Sequence, residues 1–172
     1  MAIAFLSSQR SKDPKKQVGA CIVNAERVIV GIGYNGFPRG CADDALPWAK
    51  ASASGDVLET KVPYVVHAEA NAILNKNAST LQGAHLYVTM YPCCECAKLI
   101  IQCGIREVTY SEAKNVARDG GPPDALYVAA AKMLSLAGVR VQQHRARVPL
   151  VLSLFGSAAS QNDAPVMVLS TP

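Results

Sequence analysis

Apolar residues recur along this chain in short runs whose period switches between that of a strand and that of a helix. Residues 2–9 carry Ile3, Phe5 and Leu6 at amphipathic spacing and predict a short helix. The apolar, β-branched runs 19–24 and 27–32 meet at Asn24-Ala25-Glu26 and predict a hairpin. Gly31, Gly33, Gly36, Pro38 and Gly40 then interrupt the chain, and residues 36–63 show no sustained period. A loop of that length inside a compact domain is usually a functional one.

Periodicity returns at 67–76, where Ala70, Ile73 and Leu74 predict a helix, and at 85–90, which predicts a strand. Pro92 predicts the first turn of a helix over 92–102, with Gly104 just beyond its end. A strand is predicted over 105–110 and an alanine-rich helix over 123–137, opened by Pro123 and closed by Gly138. Residues 139–141 and 148–155 are further strand candidates. From Gly156 the residues turn small and polar, which predicts a flexible C-terminal tail over 156–172 after one domain over 1–155. Strand–helix alternation after an initial hairpin argues for an α/β domain with parallel pairing in its second half.

Composition narrows the class. Half of the residues are hydrophobic and 17% are charged, enough for a single core and too apolar for wholesale disorder. The net charge of +4 is a mild basic bias that suits a small anionic substrate. Aromatics at 6% and scattered positive charge do not make a groove for a polynucleotide, so no nucleic-acid partner is expected. No apolar run is long enough for a membrane helix, and the N-terminus lacks a secretory pattern, so a reducing cytoplasmic setting is expected. There, clustered cysteines more often bind metal or do chemistry than form bridges.

The cluster that stands out is His67-Ala68-Glu69 followed by Pro92-Cys93-Cys94-Glu95-Cys96. Cys93 and Cys96 lie three apart at a helix start and can turn two sulfurs to one ion, with His67 supplying a nitrogen. Three protein ligands on zinc leave a fourth position for water, which is the catalytic pattern. Both segments fall at predicted helix N-termini, whose positive ends favour thiolate. Glu69 is placed to carry a proton beside such an ion. The residues also admit a structural zinc with Cys94 as fourth ligand, or a Cys93/Cys96 redox pair.

His-x-Glu with Pro-Cys-x-x-Cys is the signature of the zinc nucleobase deaminases. With Arg10 to Pro14, Val18 to Cys21, Gly33 to Gly40, Asp43-Asp44, His67 to Ile73 and Pro92 to Ala97, the chain resembles the deoxycytidylate (dCMP) deaminases of the zinc-dependent cytidine deaminase superfamily up to about Phe155. The resemblance implies a three-layer α-β-α fold with a mixed sheet of about five strands flanked by helices. It implies hydrolysis of dCMP to dUMP and ammonia, supplying thymidylate synthesis, with one catalytic Zn2+ on His67, Cys93 and Cys96 and with Glu69 as proton shuttle. It implies substrate contacts from Asn35 and the Ala68 backbone, with Arg10, Ser11 and Lys15 as candidate phosphate donors. It further implies a homohexamer activated by dCTP and inhibited by dTTP, with Gly36, Gly40, Asp43 and Asp44 in the effector loop and Mg2+ accompanying the triphosphate. The chain would begin inside the family's first helix and lack a second structural zinc. Lys114-Asn115-Val116 stand where the family often places a tyrosine near the phosphate. Deamination of another cytosine or small-heterocycle substrate, a polynucleotide substrate, and a non-enzymatic zinc module are the competing readings.

Overall fold

In the computed structural model, residues 1–113, 124–146, 150–153 and 166–169 are described. Helix α1 (Ala2–Ser8) leads into strands β1 (Gly19–Val23) and β2 (Ile29–Tyr34), followed by a long loop with a single 3-10 turn at Val57–Glu59. Then come α2 (Ala68–Leu74), β3 (His85–Met90), α3 (Cys94–Gln102), β4 (Glu107–Glu112), α4 (Ala125–Leu136) and β5 (Arg140–Gln143). The five strands form one mixed sheet in the order β2-β1-β3-β4-β5. The β1–β2 and β1–β3 pairs are antiparallel, and β3–β4 and β4–β5 are parallel. This is the α/β architecture expected from the sequence.

The two faces of the sheet are set by strand alternation. Gly19 faces α1: a Cβ there would lie 1.9 Å from the Ala4 carbonyl oxygen. Gly31 and Gly33 face the other way, against α2, where a Cβ on Gly33 would lie 2.2 Å from the Ala68 oxygen and 2.3 Å from the Ala72 nitrogen. Helix α2 therefore lies directly on the backbone of β2, an approach that only glycine permits. Asn71 adds a 2.7 Å hydrogen bond from its side-chain nitrogen to the Tyr34 carbonyl. The core fills the same face: Ala20, Ile22, Leu86, Val88 and Val108 from the sheet meet Ala68, Ala72, Ala97, Ile100 and Leu134 from the helices, all fully buried.

Several element boundaries differ from the sequence reading, and each shift has a local cause. The hairpin turn extends to Val28, because Arg27 takes a left-handed conformation (φ 62°) that no strand accommodates. The β4 and β5 strands begin two and one residues later than expected, since Ile105 and Val139 are used to close helices. Gly104 N–H donates to Ile101 O and Ile105 N–H to Ile100 O; Gly138 and Val139 repeat the pattern on Ser135 and Leu134. Both are Schellman ends with glycine at positive φ. Pro92 precedes the helix instead of opening it, because Cys93 is the N-cap in extended conformation (φ −75°, ψ 174°). Helix α4 starts at Ala125 with the Asp124 carboxylate capping Leu126 N–H at 2.9 Å. Pro123 and Lys114-Asn115-Val116 lie outside the described residues.

A separate two-stranded antiparallel ladder joins β6 (Leu150–Ser153) to β7 (Val166–Leu169). The first strand was expected; the second falls in the stretch read as a tail, where flanking small and polar residues hid a four-residue apolar run. Among the described residues no helix is long and apolar enough to cross a membrane.

Candidate active site

The sheet and its helices bring His67, Cys93 and Cys96 to one point. His67 is the N-cap of α2, Cys93 is the N-cap of α3, and Cys96 lies in the first turn of α3. Neither cap residue uses its side chain to cap its helix. His67 Nδ1 is 3.4 Å from Cys93 Sγ and 3.4 Å from Cys96 Sγ. Among the described residues these three form the group able to hold a metal ion, with ligand atoms within 4.8 Å of one another. A tetrahedral zinc with ordinary bond lengths separates its nitrogen and sulfur ligands by about 3.6 Å. The donor set and its spacing therefore fit Zn2+. Cys94 is turned away, its thiol 3.7 Å from the Glu95 carboxylate, which removes it as a fourth ligand. Glu95 itself is exposed and paired with Lys98.

Electrostatics divide the two thiols. Sharing a hydrogen bond with Cys96, with further help from His67, pulls the Cys93 pKa down to about 4 against the opposing effect of burial. The same partner, burial and the Glu69 charge push Cys96 well above the ordinary thiol range.

Glu69 is 4% exposed. Burial pushes its carboxyl above the usual range, opposed chiefly by His67. It opens onto a cavity of about 500 Å³, lined also by Ala68, His67, Cys93, Tyr91 and Tyr127. Tyr127, on α4, has its phenol pushed up to about 12, mainly by burial and then by the charge of Cys93. It stays neutral at physiological pH.

The cavity is also lined by charged and apolar residues, Asp13 and Glu112 among them. Lys15, Lys16, Lys50 and Lys61 line it with Val18, Val62 and Val65. Lys16 is ion-paired to Glu112 and Lys61 to Asp13. Lys15 and Lys50 have no ion pair among the described residues. Asn35 lines the cavity too, 5% exposed, its Oδ1 accepting from Val18 N–H at 2.7 Å.

Of the residues singled out in the sequence, His67, Ala68, Glu69, Cys93, Cys96, Asn35 and Lys15 converge here. Arg10 and Ser11 do not line the cavity. Arg10 lies over the Tyr34 ring, 5.5 Å from its centre, and Ser11 is buried with its hydroxyl accepting from Asp13 N–H. Gly36, Gly40, Asp43 and Asp44 lie off the cavity. Gly36 pairs with Val66 across the base of the long loop, Gly40 has φ +86°, Asp43 is ion-paired to Lys12, and Asp44 is exposed. Trp48 anchors that loop, its ring centre 4.0 Å from that of Phe37 in a tilted pair and its indole N–H donating to the Asp43 carbonyl. Sequence reasoning missed Lys50, Lys61 and Tyr127. The two lysines sit in a stretch without periodicity, and Tyr127 lies in a helix with no motif.

Comparison with known proteins bears on this geometry. Residues 1–112 match the family model of the cytidine and deoxycytidylate deaminase zinc-binding region. The human deoxycytidylate deaminase is 61% identical over 114 residues, covering 66% of this chain and 63% of the human protein. The mouse deoxycytidylate deaminase is 50% identical over 162 residues, covering 94% of this chain and 86% of the mouse protein. Among solved structures, a dCMP deaminase from the cyanophage S-TIM5, in complex with dCMP and dUMP, superimposes with a TM-score of 0.63 at 27% identity, over 82% of this chain and 90% of that one. The fold, the His67, Cys93 and Cys96 cluster and these relatives agree: the chain belongs to the cytidine and deoxycytidylate deaminase family.

Proposed function

We propose that this chain is a zinc-dependent hydrolase that converts dCMP and water to dUMP and ammonia, through the domain spanning residues 1–155. The observation that carries the reading is the His67, Cys93 and Cys96 triad beside a buried carboxylate, on a cavity lined also by lysines that have no ion pair among the described residues. When bound, zinc supplies Lewis acidity that brings the pKa of a coordinated water to about 7. Glu69 does the proton work: its carboxylate accepts a proton from water, donates it to N3 of the cytosine ring, and then serves the departing amine at C4. Burial raises that carboxyl, which favours the proton-bearing form the transfer passes through. Ala68, fully buried at the start of α2, offers its backbone to the pyrimidine edge. The valines of the lining exclude water, and Asn35 borders the sugar. Lys15 and Lys50 take the 5′-phosphate, as the two lining lysines without an ion pair among the described residues.

The regulatory reading goes with it. We infer a homohexamer, dCTP activation and dTTP inhibition through the loop of Gly36, Gly40, Asp43 and Asp44, with Mg2+ on the triphosphate. A cytoplasmic role supplying thymidylate synthesis completes it. The long loop supports this by returning, at the Gly36–Val66 bridge, to the residue just before His67.

Ammonia release measured on dCMP and deoxycytidine, with and without dCTP, dTTP and Mg2+, tests both parts. The expected outcome is a preference for dCMP of at least about tenfold in kcat/KM, from charge-assisted phosphate contacts. A ratio near one defeats the phosphate reading, and curves unmoved by either triphosphate defeat the regulatory one.

A further inference from the structure

A buried carboxylate at the cavity wall is left unused by the chemistry above. Asp13 is 3% exposed and lines the cavity. Its Oδ1 accepts from Lys15 N–H at 2.8 Å and from Lys16 N–H at 3.1 Å. Its Oδ2 accepts from Asn35 Nδ2 at 3.1 Å and from the Lys61 ammonium. A carboxylate has about four acceptor positions, and here all are taken. Asp13 therefore has no lone pair left for a substrate proton, which rules it out as an acid or base in this arrangement.

The groups it holds are those the site needs. The two amides belong to the residues that carry Lys15 and Lys16 into the cavity. The Asn35 amide is turned so that its nitrogen faces Asp13 and the Lys16 carbonyl (3.0 Å), leaving Oδ1 toward Val18. Lys61 comes from the long loop, beside Val62 and four residues before Val65, both of the apolar wall. Its side chain is 15% exposed, so the pair is largely withdrawn from water. Three segments distant in sequence meet at one carboxylate.

We infer that Asp13 is a positioning residue, with Lys61 as its counter-ion, fixing the 13–18 loop, the Asn35 amide and the wall of the long loop in the geometry that receives a phosphorylated substrate. The inference rests on the reading of the site as a dCMP deaminase. Losing Asp13 frees the amides of Lys15 and Lys16 and lets the lysine move. A shift of about an ångström in such a group costs up to about a hundredfold in rate.

The test uses Asp13→Asn, Lys61→Met, the double variant and Lys61→Arg in the zinc-loaded protein. Zinc content, dCMP and deoxycytidine kinetics, and amide exchange at residues 15 and 16 are measured together. The expected result for Asp13→Asn is a KM for dCMP raised about tenfold with kcat changed less, a smaller change for deoxycytidine, and unaltered zinc. Lys61→Arg restores the KM that Lys61→Met raises. The double variant leaves no unpaired buried charge and so regains stability over the single variants, yet its KM stays high, which a merely structural pair would not produce. A KM within about twofold of the parent in the double variant overturns the inference. So does unchanged exchange at the Lys15 and Lys16 amides in Asp13→Asn. If the parent protein does not turn over dCMP, the functional reading fails, and the exchange result alone decides the role of Asp13.

Discussion

The His67, Cys93 and Cys96 cluster hangs from regular elements, whereas the lysines and valines of the cavity lining hang from loops. His67, Glu69, Cys93 and Cys96 all lie at the starts of α2 and α3, and α2 is pressed onto β2 at Gly33. Lys15, Lys50, Lys61, Val62 and Val65 lie outside any helix or strand, held by the side chains of Asp13 and Asn35 and by the Gly36–Val66 bridge. The first region is rigid by backbone packing and cooperative helices. The second is rigid only as far as a few polar contacts make it so. Under the proposed function, chemistry that tolerates little misplacement belongs to the first and recognition of the substrate to the second.

Substitutions at each end should separate these roles, and the largest effect belongs to the metal end. Glu69→Gln keeps the shape of the side chain and removes its proton transfer. Turnover should fall about 10²–10⁴-fold with zinc content unchanged. Near-normal rates would take Glu69 out of the reaction. Gly33→Ala comes next, because a Cβ there meets the α2 backbone at 2.2–2.3 Å. Helix α2 must move, carrying His67 and Glu69 with it. Thermal melts should show a loss of about 1–3 kcal/mol or more, and activity should fall with it. An unchanged melting temperature would show that α2 is not held as described.

A subtler effect concerns protons. With the Cys93 pKa pulled down to about 4 and Cys96 pushed up, metal-free protein at pH 7 is expected to carry one thiolate. Zinc binding should then release about one thiol proton instead of two, measurable by calorimetry in buffers of different ionisation enthalpy. The sign for stability follows from the same shift. The folded Cys93 pKa lies below its unfolded value of 9.0, so its contribution to the metal-free fold is full above that value and is lost as pH falls through about 4. Release of two thiol protons at pH 7 would contradict the asymmetry. The smallest effect is expected in the long loop, where Asp44→Ala should shift the half-activating dCTP concentration more than turnover without dCTP. An unmoved dCTP titration would place the effector elsewhere.

The same division governed what could be read from the sequence. The His67, Glu69, Cys93 and Cys96 cluster was legible because a helix start fixes the direction of residues two and three apart, and because the family signature joins the two segments. The hairpin and the parallel half of the sheet were legible from period and from glycine punctuation. Strand boundaries moved where Ile105 and Val139 close the preceding helices instead of entering the sheet. The loop wall was not legible: Lys50 and Lys61 reach the cavity through a 3-10 turn and isolated contacts that no periodicity encodes. Arg10 and Ser11 are close in sequence to Lys15, but α1 ends at Ser8 and the turn after it carries them to Tyr34 and the interior. Asp13 was visible only as part of a motif, since its role depends on partners 22 and 48 residues away.

The central claim is that His67, Cys93 and Cys96 hold the ion on which hydrolysis depends. Zinc content and dCMP conversion, measured on the same samples before and after chelation and re-addition, test it most directly. The account predicts about one zinc per chain, turnover that disappears and returns with it, and neither zinc nor turnover in Cys96→Ala. Undiminished conversion of dCMP by protein stripped of metal would contradict it.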